Sequence, residues 1–214
     1  LSVLSDSKHT TIPEELLDTF LQFGITLLDG GNNRIQKTIY NYCISFPRSE
    51  IMFKRFHTLI QDQIDKLKAP HENQNEATTA SPTRLNESPF PNNSEKADDL
   101  SAKILEKLLR FLQLFTEGHY LELQDYLRFQ KHNANNYDLV AVISELLLFY
   151  SGNMAQKDYE NMVKCLDTLT EFVQGPCPEN QNALIEGKFL EVAYKILSVR
   201  NSHIHLSYSS NQYV

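Results

Sequence analysis

The 214-residue chain reads as an all-α protein, a bundle of antiparallel helices or an α-solenoid, with a disordered insert. Three observations predict this. Apolar residues recur at helical spacing through 12–68 and 99–199, and no segment alternates for long with period two. Gly-Gly, Gly-Asn and Gly-Pro pairs interrupt the stripes where helices would stop. Between the two blocks, residues 69–98 hold four of the eight prolines (Pro70, Pro82, Pro89, Pro91) and only Leu85 and Phe90 as large apolar residues. Such a stretch cannot bury enough surface to offset its ordering entropy. The expected organisation is a helical segment over 1–68, a disordered polar linker over 69–98, a helical domain over 99–200 and a loose tail over 201–214. A long insert is tolerable because closure entropy grows only logarithmically with loop length.

The first block predicts three helices. Pro13 suits a first turn, and Glu14 and Glu15 complement the positive end of the helix dipole. Leu16, Leu17, Phe20, Leu21, Gly24, Leu27 and Leu28 form the stripe, which Gly30-Gly31 stops. A second helix is expected over 33–44 with Ile35, Ile39 and Tyr42 on one face, ended by Pro47. A third, over 49–68, carries Met52, Phe53, Phe56, Leu59, Ile60, Ile64 and Leu67.

In the last block, Asp99 or Ser101 caps a helix with Ile104, Leu105, Leu108, Leu109, Leu112 and Phe115 on its stripe, closed by Gly118. A short helix follows over 120–130, then a polar loop over 131–136. Leu139, Val142, Ile143, Leu146, Leu147 and Tyr150 mark the next helix, broken at Gly152-Asn153. Met162, Cys165, Leu166, Leu169 and Val173 mark a longer one that ends at Gly175-Pro176. Two short helices, over 179–185 and 189–199, complete the set. The pairwise rhythm favours a solenoid, although no strict repeat is visible. The aromatics Phe20, Phe53, Phe56, Phe111 and Phe172 are expected in the core.

Composition excludes several functions. A net charge of −7 disfavours nucleic acid and anionic lipid, both of which need a basic face. Cys43, Cys165 and Cys177 are too few and too widely spaced for a disulfide framework, and fit a reducing compartment. No CxxC pair points to zinc, and His203 and His205 near the end read as polar surface. The sequons at Asn86 and Asn92 matter only in a secreted chain. No apolar run approaches the roughly 20 residues of a membrane span, so no direct membrane contact is expected. The start at Leu1 reads as a fragment or processed product. There is no glycine-rich phosphate loop, GxSxG elbow or HExxH pair, and no enzyme is expected.

Two carboxylates stand where helix electrostatics disfavours them. Glu117 lies at a helix end before Gly118, and Glu171 in the last turn before Gly175-Pro176. A helix C-terminus carries partial negative charge, so an acid there costs a few tenths to about 1 kcal/mol. A bound cation reverses that cost, and orphan carbonyls of the last turn could add ligands. Hard oxygen donors suit calcium. Solvated surface acids are the alternative. His119 and Gln174, beside the two acids, could orient the carboxylates or hold a water, or could simply be caps. Cys177 is expected as a small buried residue in a turn.

Several of these segments resemble a known family. The runs 110–119 (RFLQLFTEGH), 123–128 (LQDYLR), 168–177 (TLTEFVQGPC) and 179–182 (ENQN) resemble, in order and separation, the homology-associated region shared by inositol trisphosphate and ryanodine receptors. Residues 27–32 (LLDGGN), with Ile35 and Gln36, resemble the segment preceding that region. The likeness is close over about 100–197, looser over 16–45 and missing from 69–98. Residues 136–140 (NYDLV) and 176–182 (PCPENQN) look more like the inositol trisphosphate receptors, and Gly118-His119 more like the ryanodine receptors; the balance leans to the former. Thr116 and Tyr120 depart from the Cys and Asn common in the families.

The resemblance implies an armadillo-like solenoid that couples ligand binding to the pore of a homotetrameric calcium-release channel. The parent protein would sit in the endoplasmic or sarcoplasmic reticulum membrane, with this segment on the cytosolic side contacting other domains of the same channel. It also implies that Glu117 and Glu171 contribute to an activating Ca2+ site, with His119 and Gln174 nearby. The isolated chain would bind calcium only weakly. The alternative is a helical scaffold or adaptor that binds a partner protein without metal.

Overall fold

In a computed structural model of the chain, residues 13–45, 49–68, 93–153 and 156–198 are described. Pro47, residues 69–92 of the expected linker, His203 and His205, and the expected tail lie outside them. The described residues are helical, with no strand. Eight helices follow in order: α1 (Glu14–Leu28), α2 (Asn33–Ser45), α3 (Ser49–Lys68), α4 (Asn93–Thr116), α5 (Leu121–Arg128), α6 (Leu139–Asn153), α7 (Gln156–Val173) and α8 (Pro178–Glu186). A further helical stretch, α9, covers 189–198.

The packing follows a period of three helices. α1 lies along α4, and α4 along α7, so the first helices of three successive units form one row. The short second helices α2, α5 and α8 touch in the same order, and α3 packs on α6. This is the helical stacking expected from the stripe rhythm, organised as long–short–long units in which each unit buries its apolar face on its neighbour. Helix α6 is apolar on nearly every side, as its place against α3, α5, α7 and α8 requires. Leu139, Ile143, Leu146 and Tyr150 on this helix are buried in the core together with Phe53, Phe56, Phe115 and Phe172.

Helix α4 begins at Asn93, ahead of the expected caps Asp99 and Ser101. The run from Asn93 to Asp98 contains Glu95, Lys96 and Ala97, good helix formers, so the helix extends beyond its apolar stripe. The expected stripe on α1 is too wide. Leu17, Leu21, Gly24 and Leu28 are buried, whereas Leu16, Phe20 and Leu27 are exposed, as is Phe23. Among the described residues α1 ends its row and packs chiefly on α4, which covers only one narrow face. For the same reason Phe20 is at the surface rather than in the core, although its ring still lies 6.5 Å from that of Phe111. On α2, Ile35 and Ile39 are half-buried and Tyr42 is exposed, while Gln36 and Cys43 take the innermost positions. Cys43, Cys165 and Cys177 are free and buried, and burial pushes the Cys43 and Cys165 thiols up to about 12.

Within the first row α1 comes close to α4. A Cβ added at Gly24 would meet Cε2 and Cδ2 of Phe111 at 2.5 and 2.8 Å. Phe111 is itself hemmed in by Phe56 and Phe115, with ring centroids at 5.8 and 5.2 Å, so it has no free direction of retreat. Alanine improves helix propensity by roughly 1 kcal/mol, but overpacking a rigid site costs about 1–3 kcal/mol. We expect Gly24→Ala to destabilise the chain by about 1 kcal/mol, read as a lower urea midpoint at unchanged slope; a gain in stability would show that Phe111 repacks freely.

Candidate divalent-cation site

The last turns of α4 and α7 lie side by side where two units meet. Helix α4 ends at Thr116, and Glu117 sits in the turn that follows, its N–H still donating to the Gln113 carbonyl at 3.0 Å. The chain reverses there through Gly118 at φ 81° and His119 at φ 63°. Helix α7 ends at Val173 and carries Glu171 in its final turn, before Gly175 at φ 84°. Left-handed glycines at these ends free the chain from the helix without steric cost. They also allow close stacking of successive turns. A Cβ at Gly31 would sit 3.4 Å from Cγ of Glu117, and one at Gly175 would sit 3.2 Å from Cβ of His119.

Amide side chains hold both turns. Nε2 of Gln36, on α2, donates to the carbonyls of Leu114 at 3.0 Å and Glu117 at 2.8 Å. One unit further on, Nε2 of Gln124, on α5, donates to the carbonyls of Glu171 and Gln174, both at 2.8 Å. Nδ2 of Asn180 reaches the carbonyls of Gln124 at 2.8 Å and Phe172 at 3.0 Å, and Gln181 donates to those of Val173 and Gly175. Several terminal carbonyls expected from the sequence to be orphan cation ligands, those of Leu114 and Glu117 at the end of α4 and of Glu171 to Gly175 at the end of α7, therefore already accept hydrogen bonds from neighbouring short helices.

The carboxylates remain unmet. Oε2 of Glu117 and Oε2 of Glu171 are buried and accept no hydrogen bond, and neither does the buried Oε1 of Gln36. Buried acceptors are normally paired, so unpaired oxygens at one helix junction need a physical reason. The two acids are close enough to repel. The Glu171 carboxyl is pushed up from its ordinary range first by burial and then by the charge of Glu117, against the opposing pull of His119 and Arg110. His119 itself is exposed, and its imidazole packs against Gly175. The Gln174 side chain is exposed, and its carbonyl is the group that Gln124 binds.

Thus Glu117 and His119 lie within electrostatic reach of Glu171, while the Gln174 carbonyl is held by Gln124. Sequence reading overlooked Gln36 and Gln124. Their signal was available as a glutamine at the fourth position of α2, α5 and α8, in Asn33-Arg34-Ile35-Gln36, Leu121-Glu122-Leu123-Gln124 and Pro178-Glu179-Asn180-Gln181.

Unpaired carboxylate oxygens at negative helix ends suit a hard cation such as Ca2+. Among the described residues no cluster of three or more His, Cys, Asp or Glu side chains could hold a metal. Two carboxylates would fill only part of the six to eight oxygen positions calcium takes. Among the described residues no helix is long and apolar enough to cross a membrane.

The described residues thus form a stack of helical units with acidic, amide-held helix ends. Residues 99–197 match the family described as RyR and IP3R Homology associated. It is similar to the inositol 1,4,5-trisphosphate receptor itr-1 of Caenorhabditis elegans, at 32% identity across 45% of this chain. The match spans about 4% of the length of that receptor. The family match includes Glu117, His119, Gln124, Glu171 and Gln174 and begins after Gln36.

A pH dependence follows from Glu171. A carboxyl raised in the folded state binds its proton more tightly there, so its stabilising contribution is full below the unfolded value and disappears as pH rises through the folded one. At neutral pH the cation-free chain therefore bears the cost of an ionised Glu171. We expect Glu171→Gln to raise Tm by about 1–3 °C at pH 7 in the presence of chelator, with the gain shrinking toward pH 4. Thermal scans across pH check this, and an unchanged or lowered Tm at pH 7 would contradict the electrostatic reading.

Proposed function

We propose that the chain is a regulatory and coupling segment of an intracellular ligand-gated calcium-release channel, and that Glu117 and Glu171 supply carboxylates to an activating calcium site. The single observation that carries this reading is the pair of buried, unpaired carboxylate oxygens at adjoining helix ends. The match of residues 99–197 to the receptor-associated family and the likeness to an inositol 1,4,5-trisphosphate receptor support it. The parent would be a homotetramer in the endoplasmic or sarcoplasmic reticulum membrane, with this segment facing the cytosol and performing no catalysis. Calcium bound between these helix ends and a pore-proximal element would favour the conformation in which both are close, which biases the gate.

With two carboxylates from this chain, the isolated segment should bind Ca2+ at about millimolar Kd. Titration followed by NMR should show saturable shifts at Glu117 and Glu171. Glu117→Gln and Glu171→Gln should each weaken binding about tenfold, or roughly 1.4 kcal/mol. Shifts that scatter over the acidic surface and survive both substitutions would remove the site.

A second reading, a scaffold that docks another helix, is favoured by the exposed stripe of Leu16, Phe20, Phe23 and Leu27 on α1. Each first helix in the row covers the next, so the outer face of α1 fits a preceding helical unit of the parent protein. A thiol placed by Phe23→Cys should react with maleimide more slowly in the parent than in the isolated chain. Equal rates would leave the stripe without a partner.

A further inference from the structure

Gln36 and Gln124 occupy equivalent places in successive units. Each is buried on a short helix, and each sends both amide hydrogens to a pair of carbonyls three residues apart in the next unit. In each case one of the two carbonyls belongs to a site acid, Glu117 for Gln36 and Glu171 for Gln124. The main chain that carries each carboxylate is thus held by the unit before it as well as by its own helix. Both contacts of Gln36 are to acceptors, which sets the orientation of its amide and leaves Oε1 buried and unpaired.

We propose that Gln36 and Gln124 are positioning residues that set the relative placement of the two carboxylates, so that the α1–α3 unit tunes cation affinity through Gln36. This rests on the calcium reading of Glu117 and Glu171 and adds to it the route by which affinity is regulated. A displacement of α2 along α4 carries the Glu117 turn with it, while Gln124 keeps the Glu171 turn tied to α5. The pair of acids then separates, and cation affinity falls. Linkage makes the effect reciprocal: a cation that gathers the carboxylates stabilises the contact between α2 and the end of α4. The control unit for affinity therefore includes α2, which precedes the segment matched by the family.

The test separates this inference from the site itself. Gln36→Met keeps side-chain length and removes both donors; supporting residues of this kind typically change metal affinity at least tenfold. We expect Gln36→Met to weaken Ca2+ binding by about tenfold. Thr168→Val removes a hydroxyl whose one hydrogen is shared between the Lys164 carbonyl of α7 at 2.8 Å and the Leu109 carbonyl of α4 at 3.2 Å, and should lower stability while leaving affinity within about twofold. If Glu117→Gln does not weaken binding, the calcium reading falls. If Glu117→Gln weakens binding and Gln36→Met retains wild-type affinity, the positioning role falls while the site stands. Should Gln36→Met not fold, the unmodified chain still decides. The side-chain amide resonances of Gln36 and Gln124 should shift, and their hydrogen exchange should slow, on calcium addition, and resonances unmoved at saturation would overturn the proposal.

Discussion

The structure depends on one recurring interaction, a buried side-chain amide that satisfies the carbonyls at the end of a helix. Helix C-termini leave four carbonyls without an internal partner, and stacking units side by side buries those ends where water cannot serve. Gln36 serves the end of α4, Gln124 and Asn180 the end of α7, and Gln130 the end of α5 through the Tyr126 and Leu127 carbonyls. A neutral amide suits this task. It donates twice without a formal charge that would need its own counter-ion, and leaving such a carbonyl unmet costs about 1–3 kcal/mol. Because Gln36 and Gln124 belong to the preceding unit, their bonds to the ends of α4 and α7 also set the register between units.

Once the carbonyls are satisfied, the acids stand out as the unresolved electrostatics of the junction. Glu117 and Glu171 add negative charge where the helix dipoles are already negative, and each has a buried oxygen without a donor. The burial and the mutual repulsion felt by Glu171 act against folding at neutral pH. Local rules that a sequence breaks without structural gain tend to mark functional sites. The family match over 99–197 gives this departure a context, because the acids lie inside the matched segment.

The left-handed turns at Gly31, Gly118 and Gly175 do two jobs in this arrangement. They stop α1, α4 and α7, and their lack of Cβ lets the turns of adjoining units nest, with Gly31 on Glu117 and Gly175 on His119. A side chain at Gly175 would press on His119, since its Cβ would sit 3.2 Å from that of the histidine. Helix termination and site geometry are consequently a single constraint here.

Periodicity in the sequence determined the helices, because an apolar stripe and a glycine stop are local signals. The stripe from Ile104 to Phe115, the breaks at Gly30-Gly31 and Gly175-Pro176, and the buried Cys177 were all legible in that way. The placement of Glu117 and Glu171 against helix dipoles was legible too, since a helix end and the charge upon it are both read along the chain. Tertiary structure alone decided which stripe residues are covered, leaving Leu16 and Phe20 outside because, among the described residues, α1 packs chiefly on α4. It alone brought acids 54 residues apart into one electrostatic pair, and gave Gln36 its bonds to carbonyls of α4. A hydrogen bond between units depends on how rows of helices stack, and no spacing within either helix encodes that.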